Sequence, residues 1–165
     1  MRRFAALYTE LDSTTKTNEK VEAMARYLEA ASPSDAAWAL YFLSGRRIKQ
    51  LINARKLHTW ALEATGVPEW LFGECYDSVG DIAETIALLL PRAVRQTDRS
   101  LAEWVENWLV PLRTMSEPDQ RVAMLQAWDE LDGTERFLLN KLFFGGFRVG
   151  VSQLFITRAI AQVSG

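Results

Sequence analysis

The residues of this chain best suited to chemistry are arginines set beside glycines. Gly145-Gly146-Phe147-Arg148-Val149-Gly150-Val151-Ser152 combines bare backbone, a guanidinium and a serine placed to cap a following helix. Missing side chains let a phosphate approach the main chain, and amides at a helix start point outward to meet it. Val149 and Val151 would anchor such a turn inward. The alternative is a glycine-rich helix C-cap followed by a tight turn. Ser44-Gly45-Arg46-Arg47-Ile48-Lys49 repeats the design with more charge and less glycine. Gly80-Asp81, ahead of Ile82-Ala83-Glu84-Thr85, is a third helix start where a backbone amide could meet phosphate, with Asp81 as the expected N-cap.

Charge is sorted along the chain although the formal net charge is only −2. Arg46, Arg47, Lys49, Arg55 and Lys56 fall within 46–62 with no acid among them. Arg136, Lys141, Arg148 and Arg158 fall within 136–165, again with no acid. Residues 63–91 hold six acids and no Lys or Arg, and 101–135 hold eight acids against Arg113 and Arg121. Such sorting gives one face a field for a polyanion, or else marks only solvated helix faces.

Catalytic groups are scarce. One histidine, His58, cannot build general-base chemistry of any extent and reads as a surface residue. Cys75 is the sole cysteine, which excludes an internal disulfide and suits a reducing cytoplasm. Together they make a zinc site unsupported, and no metal is expected. Acidic pairs such as Asp129-Glu130 and Glu103/Glu106 read as solvated, and no G-x-x-x-x-G-K-[ST] phosphate loop occurs. No catalytic residue is assigned. The run Ile86-Ala87-Leu88-Leu89-Leu90 is far too short to cross a bilayer, and Met1-Arg2-Arg3 precedes no apolar signal region.

The elements that must position these groups read as helices throughout, about ten of them, in an all-α, two-lobed bundle. Phe4, Leu7, Tyr8 and Leu11 make a first amphipathic stripe, and Val21, Met24, Ala25 and Leu28 a second. Ser32 and Pro33 open a third helix whose body, Ala36 to Leu43, is apolar all round and is expected to be central and buried. Helices follow near 55–65, near 68–78 and over 81–90, closed by Gly66 or halted by Pro91. Residues 92–99 read as a basic connector between lobes 1–91 and 100–165. Ser100 with Glu103 forms a capping box before the stripe Leu101, Trp104, Val105, Trp108, Leu109 and Leu112, which is expected to kink or end near Val110 because of Pro111. Ser116 opens the next helix, with Val122, Leu125 and Trp128 inward. Thr134 to Phe144 and Ser152 to Val163 complete the chain. The two basic turns each follow an aromatic helix end, as two related halves presenting like loops would, or as chance would.

Taken together, Asp35-Ala36-Ala37-Trp38-Ala39-Leu40-Tyr41-Phe42-Leu43-Ser44-Gly45-Arg46-Arg47, Gly80-Asp81-Ile82-Ala83-Glu84-Thr85 and Phe147-Arg148-Val149-Gly150-Val151-Ser152 with Ala159-Ile160-Ala161 resemble the N-terminal DNA-binding domain of ATP-dependent DNA ligases. Phe4-Ala5-Ala6-Leu7-Tyr8 to Thr17-Asn18-Glu19-Lys20-Val21 is similar to the start of bacterial members. The resemblance implies a two-lobed helical domain with pseudo-two-fold character. It implies a grip on nicked double-stranded DNA across the minor groove, mostly through phosphates, in repair or replication. The two acid-free basic segments and the absence of a base-reading helix add the expectation of binding without sequence preference. A cytoplasmic monomer is expected. Arg46, Arg47, Lys49, Arg55, Lys56, Gly80, Lys141, Gly145, Gly146, Arg148, Gly150 and Ser152 are the expected DNA-facing residues. The family's adenylated lysine stands in K-x-D-G, which none of Lys16, Lys20, Lys49, Lys56 or Lys141 matches. The adenylation and OB-fold domains, with ATP and Mg2+, are therefore expected beyond Gly165. The competing expectation is a helical module that binds protein and has no affinity for DNA.

Overall fold

The computed structural model describes residues 1–49 and 52–165; Gln50 and Leu51, inside the basic stretch 46–62, lie outside the described residues. Among the described residues there are ten α-helices and no strand. They are α1 (Arg2–Ser13), α2 (Thr17–Ala30), α3 (Pro33–Leu43), α4 (Ala54–Thr65), α5 (Glu69–Val79), α6 (Ile82–Leu89), α7 (Leu101–Trp104), α8 (Glu117–Glu130), α9 (Gly133–Phe144) and α10 (Gln153–Ser164). The all-helical expectation holds. No described helix is long and apolar enough to cross a membrane.

The chain divides into two compact units, each discontinuous in sequence. Unit 1 gathers Met1–Arg47, Asp98–Asn107 and Gly145–Gly165, and unit 2 gathers Ile48–Thr97 and Trp108–Phe144. Of the crossings between them, only that at Thr97–Asp98 falls in the stretch 92–99 read from sequence as the connector; the others fall inside the lobes expected there.

In unit 1, α2 is the shared support. It carries Val21 and Met24 into the core, with α1 packed on one side through Phe4, Leu7 and Leu11 and α10 on another through Ile156 and Ala159. The small Ala159 allows close helix approach. α3 is capped as expected, the Ser32 hydroxyl accepting the Asp35 amide at 3.2 Å with Pro33 in the first turn. Asp35 then accepts the Ala102 amide at 2.7 Å, fastening α3 to the start of α7. The expectation of a fully buried α3 is not met: only Ala39, Phe42 and Leu43 are buried, and Ala37 is exposed. Its aromatics cover one another instead. Trp38 lies 5.5 Å from Tyr41 and 5.9 Å from Phe42, and its indole N–H donates to Glu106 at 2.8 Å.

In unit 2, two buried polar side chains tie helices together. Asn140 on α9 accepts from the Trp128 indole at 2.8 Å and donates to the Ala83 carbonyl at 3.1 Å, joining α8, α9 and α6. Arg136, 2% exposed, donates to the carbonyls of Leu131 (2.7 Å), Leu90 (3.3 Å) and Trp128 (2.6 Å). Burial lowers the guanidinium's pKa from its ordinary value, and Asp132 and Asp129 act against that shift. The polar stretch after α6 is fastened to the end of α8: Ala93 donates to Asp132 at 2.9 Å and Arg95 to the Asp129 carbonyl at 3.1 Å.

Two local readings need revision. The stripe starting at Leu101 is buried as expected, yet it is not one α-helix. After α7 comes a π-helical turn, Val105–Leu109, then a 3-10 turn, Pro111–Thr114. Pro111 has no amide for the Asn107 carbonyl, so the regular ladder fails one turn earlier and widens. On α8 the inward face is Met124, Ala127 and Trp128, while Val122 is 50% exposed and Leu125 only half-buried.

Candidate nucleic-acid interface

The arginines of the two basic turns, expected on separate halves, all belong to unit 1, where residues 44–47 and the turn after Gly145 abut. A β-carbon added at Gly145 would lie 3.5 Å from Arg47 Cδ, so the glycine turn runs against the aliphatic stem of that arginine. Gly145 and Gly146 both take left-handed backbone, at φ 72° and 79°. Side-chain-bearing residues avoid that region at a cost of roughly 1–2 kcal/mol each. Nothing lies within 4 Å of a β-carbon at Gly146, so glycine is required there by the backbone path, not by lack of room.

The residue between the glycines and Arg148 fixes the turn to the core. The Phe147 ring lies 6.0 Å from Phe4, 6.2 Å from Tyr8 and 5.8 Å from Phe42. Val149 is buried as expected, whereas Val151 is half-buried. Ser152 is exposed and caps α10, its hydroxyl accepting the Phe155 amide at 3.3 Å. With inward and outward side chains alternating, Arg148 is left exposed.

Tyr41 does the corresponding work for the other turn. Its hydroxyl donates to the Arg47 carbonyl at 3.0 Å, its carbonyl accepts the Arg46 amide at 3.3 Å, and its ring lies 6.0 Å from the Arg46 guanidinium. Arg46, Arg47 and Arg148 are exposed and form no ion pair among the described residues. The result is a set of guanidiniums on two anchored turns, beside backbone with no side chains to keep an anion away. That arrangement suits phosphate oxygens, which accept hydrogen bonds from guanidinium and amide alike.

The other expected residues lie in unit 2, and their surroundings differ. Lys49 and Arg55 are exposed. Lys56 is paired with Glu117 at 2.8 Å. Gly80 is exposed at the end of α5, but its amide already donates to the Tyr76 carbonyl at 2.7 Å. The adjoining helix start is filled by the Asp81 carboxylate, as expected of its N-cap, which accepts the amides of Ala83 at 2.9 Å and Glu84 at 3.2 Å. Lys141 is 9% exposed, bonded to that same carboxylate and 5.5 Å from the Phe137 ring. Its charge is thus neutralised within unit 2. Since Arg136 is buried and Arg158 donates to Asn18 at 2.9 Å, Arg148 is the one cation of the 136–165 segment that is exposed without a side-chain partner among the described residues. His58, read as a surface residue, is half-buried with its ring 4.7 Å from Phe72.

Asp81 therefore serves structure twice, as helix cap and as counter-ion. Asp81→Ala is expected to lower the stability of unit 2 by about 3 kcal/mol, since it removes a cap and leaves a buried ammonium unpaired. Adding Lys141→Met is expected to restore part of the loss. Thermal melting of the single and double variants measures both, and a double variant no more stable than Asp81→Ala contradicts the pairing.

Sequence reasoning missed Tyr41 and Phe147 as the anchors of the two turns, and missed Lys20. Lys20 is a buried lysine of α2 whose ammonium donates to the Val149 carbonyl. Aromatic residues immediately flanking each arginine turn were the available signal for the first two; Lys20 looks like any helix lysine.

No individual curated protein matches the chain. The sequence profile described as "DNA ligase N terminus" matches residues 1–161, nearly the whole length. An all-helical chain whose exposed arginines stand beside bare backbone agrees with that match from end to end, and the chain belongs to the DNA ligase N terminus family.

Proposed function

We propose that this domain binds nicked duplex DNA without sequence preference, through phosphate and minor-groove contacts, as the DNA-holding domain of an ATP-dependent ligase acting in repair or replication. The adenylation and OB-fold domains of the parent enzyme, with ATP and Mg2+, would supply the chemistry. One observation carries the reading: Arg46, Arg47 and Arg148 lie unpaired on two abutting turns whose glycines leave the backbone open. Lys49 and Arg55 are exposed and remain candidates for further phosphate contacts. Gly80 and Lys141 are weaker ones, since their polar groups already have partners.

Binding measured over a salt series on nicked and intact duplexes tests the proposal, because released counterions make affinity fall steeply with salt. Arg148→Ala is expected to weaken binding about equally for all sequences and to lower the log–log salt slope by roughly one unit. Melting is followed alongside, so that misfolding is not mistaken for a lost contact. Unchanged affinity and slope for both Arg148→Ala and Arg46→Ala, with folding intact, would reduce these turns to helix caps. A helical protein-binding module would then be the better reading, and the exposed Trp70 and Leu88 of the acid-rich stretch 63–91 would be the place to look.

A further inference from the structure

Lys20 is 6% exposed, and no carboxylate pairs with it among the described residues. Buried ammonium groups are costly unless paired and hydrogen-bonded. The partner here is a backbone carbonyl, that of Val149, which lies far away in sequence and next to Arg148. The contact is close on its other side too. A β-carbon at Gly150, where φ is 61°, would lie 2.9 Å from Lys20 Nζ. Phe147 and Val149 hold this turn by apolar contact, which is not directional. The ammonium supplies a directional restraint, fixing the plane of the peptide that follows Val149. Lys20 is the one charged side chain among the buried residues of α2, where it sits beside Val21, Ala23 and Met24.

We propose that Lys20 is a positioning residue for DNA binding, acting from beneath the turn to set the direction of the Arg148 guanidinium. The inference rests on the DNA-binding reading given above and adds a residue to it that touches no DNA. The ammonium donates one of its three N–H groups to Val149, and Arg148 then leaves the surface in a single direction and meets phosphate without a further loss of freedom.

The test is a double-mutant cycle with Lys20→Met and Arg148→Ala, read as affinity for a nicked duplex, salt slope and melting temperature of the whole chain. Methionine keeps the length and apolar bulk of the stem, so the fold is expected to melt at or above the parent temperature while affinity falls by up to roughly fivefold, about the worth of the Arg148 contact it would misdirect. The salt slope is expected to drop by roughly one unit, as for Arg148→Ala. In the Arg148→Ala background, Lys20→Met should then cost little more. Lys20→Arg, which keeps a donor and the charge, is expected to regain most of the affinity. Losses that simply add would mean that the ammonium acts through its own charge, and would overturn the positioning role. So would Lys20→Met binding like the parent while Arg148→Ala binds worse, which leaves the DNA reading standing. A parent chain that fails to bind duplex DNA takes both down. Should Lys20→Met melt well below the parent, Lys20→Gln, which keeps an N–H donor without the charge, carries the test: affinity and slope near those of the parent support the role, and losses equal to those of Arg148→Ala overturn it.

Discussion

Replacing Arg46, Arg47 and Arg148 together by alanine is expected to reduce affinity for nicked duplex DNA by roughly a hundredfold or more at moderate salt. Each arginine stands exposed without a counter-ion among the described residues, so each is available to a phosphate at full charge. A contact of that kind contributes on the order of 1 kcal/mol net, and three multiply to about that factor. The salt slope is expected to flatten by roughly three units, one for each phosphate no longer neutralised. Both effects should be the same on unrelated sequences, because backbone contacts carry no sequence information. Melting should change little, since none of the three guanidiniums packs into the core; only the stem of Arg47 touches the glycine turn. Competition binding among duplexes of equal length measures the loss. A decrease confined to one sequence, or a loss smaller than threefold, contradicts the arrangement.

Arg136→Ala is expected to be the most damaging single change to stability. Three backbone carbonyls, of Leu131, Leu90 and Trp128, depend on one guanidinium that is almost wholly buried. Alanine leaves a cavity and three acceptors without their donor, a loss of about 3–5 kcal/mol. That is a large part of the roughly 5–15 kcal/mol by which domains are stable. Arg136→Met fills the space but cannot donate, and is expected to recover only a minor share. Urea denaturation reports the size of both effects. A midpoint within experimental error of the parent for Arg136→Ala would show that these carbonyls find other donors.

Helix starts were the most legible part of this chain. Ser32, Asp81, Ser100 with Glu103, Ser116 and Ser152 all cap where their side chains and following residues indicate, because a cap is satisfied by amides two or three residues away. Burial of charge was not legible. Arg136 and Lys141 contribute to a basic segment in sequence exactly as Arg148 does, yet the first clamps carbonyls and the second neutralises Asp81. Only the fold decides which cations remain for a ligand. For the same reason Lys20 gave no sign of itself, since its partner is more than a hundred residues away. On α8 Trp128 faces inward as expected, but the rest of the apolar face lies two positions on: Val122 and Leu125 suit a helical stripe, whereas Met124 and Ala127 share the side on which Trp128 is held by Asn140. The family match spans the length over which the short motifs resemble it, whereas the placement of the arginines on neighbouring turns of one unit follows only from the fold.

The discontinuity of the two units bears on how the molecule is made. Synthesis delivers the chain from its amino end, and domains tend to fold as their segments emerge. Unit 2 has all its residues once Phe144 has left the ribosome. Unit 1 begins first and finishes last. Its α2 must wait for α10, with the apolar residues that later receive Ile156 and Ala159 uncovered in the meantime. The same late segment brings Arg148 and the Val149 carbonyl to Lys20. A nascent chain halted before Gly145 thus lacks, in a single omission, both the cover of its first-made helices and half of its arginine turns.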